Sequence, residues 1–313
     1  MGDMHSRARS RILAGALAIG LGLTVTACGS VPVDPRATGA GDRITVGAQD
    51  SLENRILAQL YGQVLADHGY LVDYNEGIGS RDSFLASLQA GTIDLVADNA
   101  GDLLYGIDPN AFARSADDVE DALPDAVESL DLHVLEVAPA DNAEAFVVSQ
   151  EFAEAHQVSS IGELGYLADT VTVGVNGDFE SHRYGSAGLL SVYGLSGFST
   201  KTINDGGGTA TVSDLLTNAI QVAVIPSTSP SINRNNLRVL GDPKSLITTQ
   251  NIVPVVGDAA YSADVQRLLA PVSEALTTDE LRSLNERGTS TETPSPERIA
   301  KNWLTQKKLL EKN

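Results

Sequence analysis

The chain has 313 residues and carries 41 acidic against 21 basic side chains, a formal net charge of −20. That sign argues against nucleic acid as a partner, and it obliges any anionic ligand to be held by local donors against the overall field. A single cysteine excludes an internal disulfide, and the length suits two α/β lobes.

The chain begins with Arg7, Arg9 and Arg11 ahead of an apolar run, Ile12–Val25, which is too short for a membrane span and reads as an export signal. The run ends in Val25-Thr26-Ala27-Cys28, the pattern of a bacterial lipoprotein signal. Residues 1–27 are therefore expected to be removed and Cys28 acylated, anchoring the protein to the cell membrane on its extracytoplasmic face. A plain secretory signal with an incidental cysteine is the alternative. Residues 28–41, with Pro, Ala and Gly, read as a flexible tether.

Ile44–Gly47 reads as a strand. Asp50 or Ser51 can cap the helix after it, whose apolar face runs Leu52, Ile56, Leu57, Leu60, Val64, Leu65. Leu71–Tyr74 is the second strand, Asp82–Ala90 the next helix and Ile93–Ala97 the third strand. This alternation predicts a parallel sheet. Asp117–Leu130 is acidic and helical, and His133–Val137 returns as a strand. Pro139–Phe146 reads as a crossing to a second sheet that begins at Phe146–Val148, and Phe152–Leu164 holds helical turns. Val171–Val175 and Phe198–Ile203 are strands on either side of a helix over Gly185–Tyr193. Leu237–Leu240 and Ile252–Val256 are further strands, the latter placed to cross back. Helices over Ala263–Leu276, Thr278–Arg287 and Pro296–Leu310 close the chain. Ser295 caps the last, which carries the only tryptophan, Trp303, on its core-facing side.

One stretch has an echo. Gly206 falls 127 residues after Gly79 (206 − 79), and at that offset Val212 meets Leu85, Leu215 meets Leu88, Ile220 meets Ile93 and Val222 meets Leu95. The repeat predicts two similar α/β lobes. Lobe 1 takes residues 42–138 plus 251–313, lobe 2 takes 146–243, and 139–145 and 244–250 are the crossings. Each glycine loop opens a helix at the carboxyl end of a strand, where open α/β sheets bind ligands through exposed amides. The plainer alternative is that the glycines close tight turns.

Catalytic patterns are missing. There is no Gly-x-Ser-x-Gly elbow, no zinc-type His or Cys pair and no Gly-Lys-Ser phosphate loop, so no catalytic residue, metal or cofactor is expected and the chain reads as a non-enzyme. His182-Arg183-Tyr184 combines a cation, an aromatic ring and a helix start, which suits a carboxylate or another anionic group. A solvated loop with an arginine at its tip is the alternative. Ser227-Thr228-Ser229-Pro230 sets three hydroxyls at a strand end before a helix, and capping accounts for at least one of them.

Several stretches carry a family resemblance. They are Val46-Gly47, Gly79-Ser80-Arg81-Asp82, Leu88-x-x-Gly91-x-Ile93-Asp94-Leu95 and Ala138-Pro139-Ala140, then Tyr184-Gly185-x-x-Gly188-Leu189, Tyr193-Gly194-Leu195 and Ser227-Thr228-x-Pro230. Asn251-Ile252-Val253-Pro254, Leu276-Thr277-Thr278-x-x-Leu281-x-x-Leu284-Asn285 and Ala300-x-x-Trp303-Leu304 complete the set. In order and spacing these resemble the substrate-binding proteins of ABC importers of the glycine-betaine/choline/proline, or osmoprotectant, type, from about Ile44 to Leu310. The resemblance implies a two-lobed periplasmic-binding-protein fold of type II, the Venus-flytrap kind. Its hinged cleft would close on a small polar solute, a quaternary amine by default, and deliver it to permease and ATPase subunits.

The resemblance also implies an aromatic cage around the cation. Here the three tyrosine positions of that cage fall on Asn99, Glu144 and Pro226. The usual lysine falls on Gln49, and the usual arginine on His182, with Arg183 beside it. The ligand site is expected from Gln49, Asp50, Asn99, Asp102, Asn142, Glu144, His182, Arg183, Pro226, Ser227 and Thr228. Such a polar cleft suits a hydroxylated or amide-rich solute, with Glu144 able to balance a cation and His182 with Arg183 able to hold an acid. Each missing ring forfeits up to ~2 kcal/mol of cation–π attraction, so weak affinity for glycine betaine or choline is expected. The alternative function is a ligand-sensing regulatory lipoprotein on the same fold with a non-betaine ligand; a hydrolase without recognisable motifs ranks third.

Overall fold

The computed structural model describes residues 43–289 and 294–311. The expected export signal, Cys28 and the tether lie outside the described residues.

The first half runs β1 (Arg43–Ala48), α1 (Leu52–Asp67), β2 (Leu71–Glu76), α2 (Arg81–Gln89), β3 (Leu95–Asn99), α3 (Ala100–Ile107), α4 (Ala116–Glu128) and β4 (Leu132–Val134). The second runs β5 (Glu144–Ser149), α5 (Gln150–His156), a 3-10 stretch over Ile161–Thr170, β6 (Thr172–Val175), α6 (Ser186–Gly188), a π turn over Leu189–Tyr193, β7 (Ser199–Thr202), α7 (Thr209–Leu216), β8 (Val222–Pro226), α8 (Pro230–Arg234) and β9 (Leu237–Val239). The chain then returns through β10 (Ile252–Gly257) to α9 (Ala263–Ala275), α10 (Thr278–Gly288) and α11 (Pro296–Lys307). Helix starts follow local chemistry. Ser51, Ser80, Ser115, Ser262, Thr277 and Ser295 each accept a hydrogen bond from a backbone N–H of the first turn.

Two five-stranded sheets result, ordered β2-β1-β3-β10-β4 and β7-β6-β8-β5-β9. In each, four strands share one direction and the inserted strand, β10 or β5, runs antiparallel to both its neighbours. The echo is visible in the register. Val46 pairs with Leu95, and Val173 with Val222, both 127 residues later (173 − 46, 222 − 95). Even a side-chain clip recurs at that offset: Thr45 N donates to Asp94 Oδ2 at 2.7 Å and Thr172 N to Gln221 Oε1 at 2.8 Å. Gly47 and Gly174 are a further matched pair. A Cβ would meet Ile93 Cδ1 at 2.8 Å in the first case and Ile220 Cδ1 at 2.4 Å in the second, so the isoleucine just ahead of β3 or β8 packs directly on bare backbone.

Both faces of each sheet are covered. In lobe 1, α1, α9 and α11 bury Leu57, Tyr61, Leu269 and Trp303 on one side, and α2, α3 and α4 bury Phe84, Leu103 and Leu123 on the other. Lobe 2 packs Phe146, Ile161, Val173 and Leu189 on one face and Val147, Leu215, Ile225 and Ile232 on the other. The two crossings lie side by side. Asp141 and Asn251 form an antiparallel bridge, Asn142 N donates to Gln250 O at 3.0 Å and Ile252 N to Ala140 O at 2.9 Å.

Besides shifts of β3 to Leu95–Asn99 and of β4 to Leu132–Val134, three differences from the sequence expectation bear on the site. The helix α3 was not foreseen. The single helix expected over Gly185–Tyr193 is a three-residue α turn followed by a π turn. Gly185, Gly188 and Gly194 bracket this segment, and glycine penalises regular α geometry. Finally, β5 starts at Glu144 rather than Phe146, which makes Glu144 part of the second sheet and not of a loose crossing.

Candidate functional site

A cavity of about 410 Å³ opens between the lobes beside the crossings. Lobe 1 contributes Asn99, the last residue of β3, and Asp102 and Tyr105 from α3. Lobe 2 contributes Glu144 at the start of β5, Asn176 and Asp178 after β6, and His182, Arg183 and Tyr184 before α6. The crossings supply Asn142 and the segment Leu246, Ile247, Thr248, Gln250.

The wall is acidic around a ring. Burial pushes the Tyr184 phenol up from its ordinary value, and the charges of Glu144, Asp178 and Asp102 push it further. Three carboxylates thus converge on one phenol. The Tyr184 ring stacks on His182, with centroids 4.8 Å apart and planes 5° from parallel. His182 Nε2 in turn lies 3.1 Å from Asp178 Oδ2, a contact that lowers the Asp178 carboxyl. Glu144 differs: burial pushes its carboxyl up, the His182 charge opposes this, and the Asp178 charge adds to it. Its Oε2 is buried without a hydrogen-bond partner. Arg183 lines the same cavity and has no ion pair among the described residues. Beneath the floor, Arg81 grips Asp98 through Nε and Nη2 at 2.7 and 2.9 Å. Burial raises the Asp98 carboxyl while those two hydrogen bonds pull it down.

Of the residues expected at the site, the structure brings Asn99, Asp102, Asn142, Glu144, His182 and Arg183 to the cavity wall. Gln49, Asp50, Pro226, Ser227 and Thr228 stand elsewhere. Gln49 Nε2 donates to Gly79 O at 2.9 Å, and Asp50 pairs with Arg55 at the start of α1. Ser227 and Thr228 belong to a polar junction between the lobes. Arg282 of α10, only 7% exposed, donates to Ser227 O from Nε at 3.0 Å and from Nη2 at 2.8 Å, and to Asn233 Oδ1 at 3.0 Å. Thr228 Oγ1 donates to Asn142 Oδ1 at 2.6 Å, while Asn142 Nδ2 donates to Glu53 Oε1 at 2.8 Å. Burial raises the Glu53 carboxyl; hydrogen bonds from Asn285 and Thr228 act against that rise.

Sequence reasoning singled out Tyr184 within His182-Arg183-Tyr184 but missed Tyr105, Asn176, Asp178 and the crossing residues Leu246, Ile247, Thr248 and Gln250. Two tyrosines, Tyr105 and Tyr184, line the cavity, and neither stands at one of the three cage positions implied by the resemblance. A second cavity of about 280 Å³ lies on the far side of the returning crossing. Ser245 and Thr249 line it, Leu246, Thr248 and Gln250 line the first, and Ile247 and Glu144 border both. Among the described residues no helix is long and apolar enough to cross a membrane, and no group of three His, Cys, Asp or Glu could hold a metal ion.

Two sheets of one topology joined by paired crossings, with a polar cavity between them, define a two-lobed solute-binding protein. Residues 42–306 match the OpuAC family, the substrate-binding domain of ABC-type glycine betaine transport systems, and the chain belongs to that family. It is the substrate-binding protein of an osmoprotectant-type ABC importer, working outside the cytoplasmic membrane with permease and ATPase subunits. The family is one of transport proteins and not of enzymes. Among solved structures, one titled as a glycine betaine/carnitine/choline ABC transporter is 17% identical with a TM-score of 0.79, over 87% of this chain and 100% of that one. Apo YehZ from Escherichia coli is 22% identical with a TM-score of 0.75, over 85% and 99%. Lactococcal OpuAC in its closed form with glycine betaine is 14% identical with a TM-score of 0.51, over 86% and 100%. At such identities the likeness establishes the fold.

Proposed function

We propose that the cleft takes a small quaternary amine and holds its cationic head between the Glu144 carboxylate and the Tyr105 and Tyr184 rings. Glu144 carries this reading. A carboxylate with a buried, unpartnered oxygen is costly, and a bound cation relieves that cost while the rings add attraction through their π faces. Arg183 stands on the same wall for the acid group of a zwitterion. Because Asp102, Glu144 and Asp178 outnumber it, choline is expected to bind more tightly than glycine betaine. Calorimetric titration of residues 29–313 with each solute tests this. Glu144→Gln is expected to weaken choline binding at least tenfold; an unchanged affinity removes the site assignment.

The anchor of the chain is a diacylglyceryl group on Cys28, supported by Val25-Thr26-Ala27-Cys28 after the apolar run. A Cys28→Ala protein that still takes up lipid label and stays with the membrane would rule this out.

A further inference from the structure

Helix α3 starts without a cap of its own. Asn99 sits at its N-cap in extended conformation and makes no side-chain cap hydrogen bond. The first turn is closed instead by the returning crossing. Ala100 N donates to Asn251 O at 2.8 Å, and Asp102 N donates to Gln250 Oε1 at 2.9 Å. The other end of the same amide is used on the same residue, with Gln250 Nε2 donating to Asp102 Oδ1 at 2.8 Å. Gly101 makes the approach possible, because a Cβ there would lie 2.2 Å from Thr249 O.

The chemistry of this arrangement is selective. Free amides at a helix start, with the positive end of the helix dipole, attract anions. Here an amide oxygen fills one such donor and a carboxylate is propped up beside it. The second oxygen of Asp102 faces Arg81 Nη2 at 3.6 Å, but that guanidinium is already bound twice to Asp98. Asp102 therefore meets the cavity as a carboxylate held mainly by a neutral side chain, and it is 52% exposed there. Resting on the cation reading above, we infer that Gln250 is a specificity-determining positioning residue: it closes the start of α3 to anionic groups and fixes Asp102 as a negative charge facing the solute.

The test compares wild type with Gln250→Met, which conserves volume but removes both hydrogen bonds, and with Gln250→Glu, which keeps an acceptor for Asp102 N. Two quantities are read: the ratio of choline to glycine betaine affinity by calorimetry, and hydrogen exchange of the Asp102 amide by NMR. Gln250→Met is expected to speed that exchange at least tenfold and to shrink the affinity ratio at least fivefold. Gln250→Glu is expected to keep the exchange slow and leave choline favoured. Glu144→Gln should lower choline affinity without touching the exchange. Faster exchange with an unchanged ratio in Gln250→Met overturns the specificity role, and unchanged exchange overturns the capping role. A wild type that binds neither solute removes the cation reading and the specificity role with it, and the exchange rate then decides alone whether Gln250 caps α3.

Discussion

The ends of β3 and β8 are the same place in the two lobes, yet they do different work. Asn99 and Pro226 stand 127 residues apart (226 − 99), each as the last residue of its strand. After Asn99 the chain turns into α3 and lines the cavity. After Pro226 it enters Ser227 and Thr228, which Arg282, Asn285 and Asn142 hold in the junction between the lobes. The shared scaffold fixes where a strand ends. The partners that other segments bring to that end decide whether it lines the cavity or joins the lobes.

The largest effect is expected where the junction is broken. Arg282→Ala strips Ser227 O and Asn233 Oδ1 of buried donors and should cost about 3 kcal/mol of stability, read as a lower urea midpoint. A midpoint within error of wild type would mean that the end of β8 is not a structural joint. Next in size is a matched pair in the shared scaffold. Gly47→Ala must displace Ile78 and Ile93, whose Cδ1 atoms lie 2.6 and 2.8 Å from the new Cβ, whereas Gly174→Ala displaces Ile220 first. Overpacking of this kind costs about 1–3 kcal/mol, and the Gly47 variant should lose more. Equal losses would say that the two lobes pack alike despite their different loops.

Smaller is the pH response of Glu144, which lines the cavity from the start of β5, in register with Pro226. Its raised pKa means that stability from the protonated form is present below the ordinary carboxylate value and is lost as pH rises through the raised one. Cation binding needs the ionised form. The rise in melting temperature caused by choline should therefore grow as pH climbs through that range, and Glu144→Gln should flatten it; thermal melts with and without choline across pH check both. The last is Thr228→Val, which removes the side-chain hydrogen bonds to Asn142 and Glu53, each worth about 1 kcal/mol. It should change the affinities for choline and glycine betaine by the same factor, since the residue acts through the junction. A change in their ratio would place Thr228 on the solute after all.

Much of the scaffold was legible because parallel strands are apolar runs and because Ser and Thr caps act locally. The glycine echo and the clip at Thr45 and Thr172 are set by residues within one lobe. What was hidden depends on partners far away in the chain. The stretch Asn99–Ile107 contains two glycines and no working cap, and its helix is closed by Gln250 and Asn251 from the other crossing. Ser227 and Thr228 read as ligand donors for want of any sign of Arg282 or Asn142. Tyr105 carries no local mark of its role, since only the packing of α3 beside the crossings brings it to the wall.

The placing of β10 also makes the first sheet depend on the end of the chain. It lies between β3 and β4, which otherwise do not pair, while every strand of the second sheet lies within residues 144–239. A chain that emerges amino end first can complete the second sheet while the first still has a gap in its middle. The first sheet is complete only with residues 252–257 in place, so the amino-terminal lobe needs a strand from beyond the second sheet.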